Sequence, residues 1–129
     1  FTVDLAKRIN GDVRLEFIRV SSYGEGTEST GEIKMKLDLK DSIQGKDIIV
    51  VEDIIDTGRT LSYLIEYLKR KKPNSVKLCA LLDKPDRRVM KDVKVDYTGF
   101  EIPDKFVVGY GLDWDEKYRN LPYIGYIEQ

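Results

Sequence analysis

The sequence predicts an α/β fold, a mostly parallel central sheet flanked by helices, and three neighbouring segments carry that prediction. Ile48-Ile49-Val50-Val51 is continuously apolar and β-branched, which suits a strand covered on both faces in a parallel sheet. Leu61, Leu64, Ile65 and Leu68 follow at i, i+3, i+4 and i+7, one face of an α-helix that ends near Pro73-Asn74. Val76 to Leu82 is the next apolar run. Strand, helix, strand in this order is a βαβ unit with a right-handed crossover.

The remaining elements follow in chain order. Phe1 to Ile9 places apolar residues at 1, 5 and 9 with Val3 and Ala6 beside them, a helix ending at Asn10-Gly11. Val13 to Val20 is a strand candidate. Ser21 to Gly31 is polar, aperiodic and glycine-bearing, the composition of a mobile loop. Ile33, Met35 and Leu37 alternate with Lys34 and Lys36, a half-exposed strand. Leu39 to Gly45 reads as a connection. Val95 to Phe100, Phe106 to Gly109 and Tyr123 to Ile127 are further strand-like runs. There is no internal repeat, low-complexity tract or linker.

Composition bounds what such a domain can do. A chain of 129 residues is one domain by size and buries a core. With 41% apolar and 35% charged residues and a net charge of −1, it has a soluble globular balance. Near-neutral charge argues against a nucleic-acid binder. No apolar run reaches the ~20 residues of a membrane span. Phe1 to Asn10 carries Asp4, Lys7 and Arg8 and does not resemble a signal peptide. The lone cysteine, Cys79, excludes an internal disulfide, which fits a reducing, cytoplasmic compartment; in its apolar run it reads as a small buried hydrophobe. There is no histidine, so Ser-His and Cys-His pairs and histidine zinc sites are excluded. A metal here would be held by oxygen: magnesium, manganese or calcium. The first residue is Phe rather than Met, consistent with a truncated, processed or fragmentary chain.

Chemistry concentrates at Glu52 to Thr60. Glu52 and Asp53 fall where the strand should end, and Asp56 follows three residues later. Ligands of open parallel sheets collect at the carboxyl ends of strands. Thr57-Gly58-Arg59-Thr60 then joins the turn to a helix, whose N-terminal N–H groups and dipole attract phosphate. Gly58 lets backbone approach a ligand closely, and the two threonines add donors. The bland alternative is a helix cap, with Asp56, Thr57 or Thr60 in that role. Three carboxylates within five residues are harder to explain as caps, because like charges repel.

The run Val51-Glu52-Asp53-Ile54-Ile55-Asp56-Thr57-Gly58-Arg59-Thr60 resembles the phosphoribosyl-diphosphate signature of type I phosphoribosyltransferases, in the form of the hypoxanthine-guanine branch. The stretch Gly99 to Asp113 is a second long match. Phe17 to Gly24, Ser29-Thr30-Gly31 and Tyr118 to Gly125 are others, so that the resemblance spans essentially the whole chain. It implies the type I phosphoribosyltransferase fold in a single domain, 1–129. It also implies that the family's upstream Leu-Lys-Gly pyrophosphate turn, a preceding strand and part of the hood over the purine lie outside the sequence. Arg59 stands where some relatives carry lysine, and Trp114-Asp115 where Tyr-Asn or Tyr-Asp is common.

Residue by residue, the resemblance implies a Mg²⁺-dependent transfer of phosphoribose to hypoxanthine or guanine. Glu52 and Asp53 would face the ribose hydroxyls and the magnesium, with Asp113 a further magnesium ligand. Asp56 would be the general base near purine N7, and Thr57, Gly58, Arg59 and Thr60 would hold the 5′-phosphate. Lys84 would donate to the purine O6, Phe106 would stack on the ring, Val107 would meet the base edge through its backbone, and Lys105 would steady the loop. Arg119 would contact pyrophosphate, and Ser22 and Tyr23 would open a loop that closes over the site. From the residues alone, Lys84 reads as a solvated lysine, Phe106 as core, and Asp113 and Arg119 as a surface ion pair. The implied partners are the purine base, phosphoribosyl diphosphate and further copies of the chain, as homodimer or homotetramer. A non-catalytic sensor of the same fold is the alternative, and a plain structural domain leaves the acidic turn unexplained.

Overall fold

The computed structural model describes residues 1–22 and 33–128. Its centre is a three-stranded sheet in the order β3 (Asp47–Ile55), β4 (Ser75–Asp83), β5 (Tyr97–Glu101). Both pairings are parallel, with Val50 opposite Leu78 and Leu82 opposite Phe100. The helix between the first two strands is α2 (Arg59–Lys69), so the expected βαβ unit is present. Its apolar stripe, Leu61, Leu64 and Leu68, meets Ile55, Leu78, Ala80, Ile43 and Val93 in the core. Burying such side chains is worth roughly 1.5–3 kcal/mol each, which is what secures the turn between β3 and α2.

A second layer flanks this unit. Strands β1 (Arg19–Ser22) and β2 (Ile33–Leu37) pair antiparallel, and Ile18 and Met35 pack on the core around α2. Further along, β6 (Phe106–Val108) and β7 (Gly125–Ile127) form a separate antiparallel pair. The short helix α1 (Thr2–Ala6) is tied to the turn at 110 by the Tyr110 hydroxyl, which donates to Asp4. That bond holds the Asp4 carboxyl below its usual range.

Three elements depart from expectation. The strand candidate Val13 to Val20 is a strand only from Arg19; residues 12–18 join no ladder. Alternation specifies a face, but pairing needs a neighbouring edge, and Val13, Leu15 and Phe17 stay 43%, 48% and 66% exposed. The first helix stops at Ala6 instead of Ile9, because Arg8 and Ile9 donate to Leu5 and Ala6 in tighter i→i+3 bonds; a helix this short has little cooperativity to extend it. Finally, β3 is covered fully on one face only. Ile48 and Val50 pack on the core, while Ile49 is 46% exposed beside a cavity lined partly by Leu5, Ala6 and Ile9 of the first helical segment. Cys79 is buried as expected, and burial pushes its thiol pKa up. No helix among the described residues is long and apolar enough to cross a membrane.

Candidate active site

The β3–α2 turn places the acidic cluster. Strand β3 runs past its expected end at Glu52 and Asp53, to Ile55, because Ile54 and Ile55 continue the ladder opposite Leu82 and Asp83. Glu52 and Asp53 therefore sit inside the strand, not at its end. Glu52 is half-buried, and its carboxyl is pushed up to about 8, first by burial and then by the neighbouring Asp53. Its Oε1 accepts the Asp53 N–H at 3.3 Å, and Asp53 Oδ1 accepts the Ile54 N–H at 2.7 Å.

Asp56 does not cap the helix. Gly58 holds the N-cap position with φ 83°, and the Thr57 hydroxyl accepts the Arg59 N–H at 3.4 Å. The left-handed φ favours glycine, and so does space: a Cβ at 58 would lie 3.1 Å from Arg88 Cδ. The segment after β4 thus packs beneath the turn. The N–H groups of Val89 and Met90 both donate to the Thr57 carbonyl, at 3.0 and 3.1 Å. Arg88 pairs with the carboxylate of Asp83, its side chain 14% exposed, and its Nε donates to the Asp56 carbonyl at 3.3 Å. A buried ion pair of this kind is costly to break, and here it fixes the backbone of the candidate phosphate turn.

Lys84 follows directly on β4 and is not a solvated lysine: its side chain is 8% exposed. Its N–H donates to the Ile55 carbonyl at 3.0 Å, and its Nζ lies 3.6 Å from Asp104 Oδ1. Asp56, Lys84, Arg87, Asp104, Lys105 and Phe106 line one cavity of about 740 Å³, together with Ile127 and Glu128. Phe106 is 44% exposed, so it is a cavity wall and not core. Val107 is half-buried opposite Tyr126, and the Lys105 ammonium sits over the Tyr126 ring at 5.2 Å from its centroid.

Other expected residues stand apart from that cavity. Asp113 and Arg119 meet each other at 3.3 Å, and Arg119 also donates to the Gly111 carbonyl at 2.9 Å and reaches Glu116 at 3.3 Å. Among the described residues no three acidic, cysteine or histidine side chains converge on one point, so Glu52, Asp53 and Asp113 form no ready-made metal cage. Tyr23 and the rest of the loop through residue 32 lie outside the described residues, as does the side chain of Ser22.

Sequence reasoning missed Arg87, Arg88, Asp83 and Asp104. Arg87 Nε donates to Asp56 Oδ1 at 2.8 Å, and its Nη1 is 3.8 Å from Asp104 Oδ2. The signal was the run Asp83-Lys84-Pro85-Asp86-Arg87-Arg88, dense in charge of both signs directly after a buried strand.

Asp56 of the β3–α2 turn and the buried Lys84 on one cavity, both leaving strands of a parallel sheet, fit the comparison with known proteins. Residues 1–115 match the phosphoribosyl transferase domain, and the chain belongs to that family. Within it, the chain is 53% identical to hypoxanthine-guanine phosphoribosyltransferase of Bacillus subtilis, over 99% of this chain and 71% of that protein. It is 54% identical to the bifunctional protein TilS/HprT of Listeria monocytogenes, again over 99% of this chain but only 20% of that longer protein. The crystal structure of a hypoxanthine phosphoribosyltransferase from Staphylococcus aureus superimposes with a TM-score of 0.92 at 51% identity, covering 98% of this chain and 68% of that one. The fold is therefore the type I phosphoribosyltransferase fold expected from the sequence.

Proposed function

We propose that this chain is the phosphoribosyl-transferring domain of a purine-salvage enzyme, converting hypoxanthine or guanine with 5-phosphoribosyl-1-diphosphate to IMP or GMP and pyrophosphate. The observation that carries the reading is a single cavity lined by a carboxylate at the turn, Asp56, by the buried ammonium of Lys84 and by the exposed ring of Phe106. Phe106 offers a stacking face to a planar base. Lys84 can donate a hydrogen bond but cannot accept one, so it suits a 6-oxo group and opposes an adenine amino group. Sites built on such a bond can reject the wrong partner by ~10⁴. Asp56 takes a proton from the purine as the ring attacks the anomeric carbon, a contribution typically of ~10²–10⁴.

On the ribose side, the first-turn N–H groups of α2 with Thr57, Gly58, Arg59 and Thr60 hold the 5′-phosphate. Glu52 and Asp53 face the ribose diol, and Arg119 the pyrophosphate. The oxygen-only donor set fits magnesium, which keeps several waters and is bound by one or two carboxylates plus substrate oxygens rather than a full protein cage. Glu52, Asp53 and Asp113 are the groups that would hold it. What bound magnesium supplies is neutralisation of the leaving diphosphate. Ser22 and Tyr23 open the loop that would exclude water. Exposed Phe17, Phe100 and Tyr123 are compatible with assembly as a homodimer or homotetramer, and the lone thiol with a cytoplasmic setting.

The test is an assay of the full protein with magnesium, phosphoribosyl diphosphate and each purine base in turn. Hypoxanthine and guanine are expected to turn over, adenine little or not at all, and Asp56→Ala to lose at least ~10²-fold in kcat. Robust adenine turnover would remove Lys84 from its role. Binding without turnover would favour a sensor, for which a proton acceptor beside the base has no use.

A further inference from the structure

We propose that Arg87 is the positioning residue that aims the Asp56 carboxylate, and that Asp104 anchors both Arg87 and Lys84. This inference rests on the reading of Asp56 given above. Four groups of alternating charge, Asp56, Arg87, Asp104 and Lys84, run along one cavity wall, joined at 2.8, 3.8 and 3.6 Å. They come from three separate parts of the chain: the β3–α2 turn, the segment leaving β4, and the loop between β5 and β6.

The contact at Asp56 is specific. Arg87 Nε engages Oδ1, while Oδ2 makes no hydrogen bond among the described residues. A guanidinium donates in fixed directions from a planar fork, so one bond through Nε sets the plane of the carboxylate and leaves the second oxygen for a substrate proton. Arg87 is itself held in place. Pro85 opens the short 3₁₀ turn Pro85–Arg87 with its fixed φ, and Asp104 lies on the far side of the guanidinium. The same Asp104 seats the buried ammonium of Lys84, so the group read as recognising the base and the group read as taking its proton share one anchor.

The other charges around Asp56 do not substitute for Arg87. Arg88 reaches only its backbone carbonyl, and Lys105 and Glu128 line the cavity without a hydrogen bond to the Asp56 carboxylate. The hydrogen bond to Asp56, with the charges of Asp56 and Asp104, raises the Arg87 pKa. Arg87 is half-exposed, so its replacement leaves the core intact.

The experiment compares Arg87→Met, Arg87→Lys and Asp104→Asn in the full protein, by steady-state kinetics and by crystallography. Arg87→Met is expected to lower kcat on the order of tenfold, an orientation effect, with purine KM little changed. Arg87→Lys, which keeps the charge without the planar fork, recovers only part of that loss. Asp104→Asn lowers kcat and also raises purine KM, because Lys84 loses its seat. Wild-type kcat in Arg87→Met would overturn the inference. The crystal structure of Arg87→Met separates this inference from the proposed function. If the wild-type protein transferred no phosphoribose, the reaction would be wrong, yet an Asp56 carboxylate turned out of its wild-type plane in Arg87→Met would still support the pairing. A carboxylate held in the same plane in both proteins would overturn it whatever the activity.

Discussion

Asp56 reaches the cavity from a turn between the nine-residue strand β3 and the eleven-residue helix α2, whereas Phe106 reaches it from a three-residue strand paired only with another of three. Beneath the first wall lie Ile55 and Leu78, both less than 2% exposed. The second rests on backbone bonds around glycine turns, such as Gly109 N–H to the Leu112 carbonyl at 2.9 Å and Gly111 N–H to the Arg119 carbonyl at 2.9 Å. The difference separates two tasks. Under the proposed function, the phosphoribosyl group, the same in every turnover, would be met by a turn fixed by the core. The base, which must be selected and released, would be met by short strands and loops, where opening costs less free energy.

Damage to the core should therefore fall on the turn. Leu78→Ala removes a side chain 1% exposed that packs with Ile55, Leu61 and Leu64. Such truncations cost about 2–5 kcal/mol. Chemical denaturation is expected to show that loss, with the phosphoribosyl-diphosphate KM rising as the β3–α2 turn loosens. A loss below ~1 kcal/mol would mean that the core does not hold this wall.

A second test uses pH. Glu52 has a folded pKa of about 8 against 4.5 for the free side chain, so the native state holds this proton more tightly than the unfolded chain. That contribution is fully present below about 4.5 and is lost as pH rises toward 8. Glu52→Gln removes the dependence. The variant should therefore exceed wild type in stability at alkaline pH, where the wild type must ionise a half-buried carboxyl, and match it in acid. Parallel Tm-against-pH curves for the two proteins would show that Glu52 does not carry this burden. A group that destabilises the fold is one kept for another purpose.

Legibility followed the same division. The i, i+3, i+4, i+7 stripe of α2 and the apolar runs of β3 and β4 read directly, because a residue's own neighbours in sequence decide burial there. The start of α2 after Gly58 read directly too, whereas Glu52 to Ile55 belong to the strand. What did not read were pairings across distance: Arg87 to Asp56, Asp104 to Lys84, Tyr110 to Asp4. Each joins residues that look like ordinary surface charge or phenol until the fold brings them together. Val13 to Ile18 failed for a related reason, because strand alternation was present but a ladder partner was not. Lys84 was assigned through resemblance, and only the fold gives the physical reason: strand β4 ends with Asp83 and Lys84 both 7% exposed.

The smallest expected effect on stability is the sharpest test of the contrast. Phe106 is a large aromatic that the fold leaves 44% exposed on the cavity, in a strand held by only three register pairs. Nearly half of the side chain stays in water, so Phe106→Ala should cost only about 1–2 kcal/mol in denaturation, less than Leu78→Ala. If the ring is there for a planar base, its removal should raise purine KM strongly while leaving the phosphoribosyl-diphosphate KM near wild type. Base–aromatic stacking is worth roughly 1–3 kcal/mol, which corresponds to a rise of about 5- to 150-fold. Leu78→Ala should give the opposite signature, a large loss of stability with its kinetic effect on the phosphate side. Should Phe106→Ala instead destabilise the fold as much as Leu78→Ala and leave purine KM unchanged, the ring would belong to the core and the two walls would not divide the work.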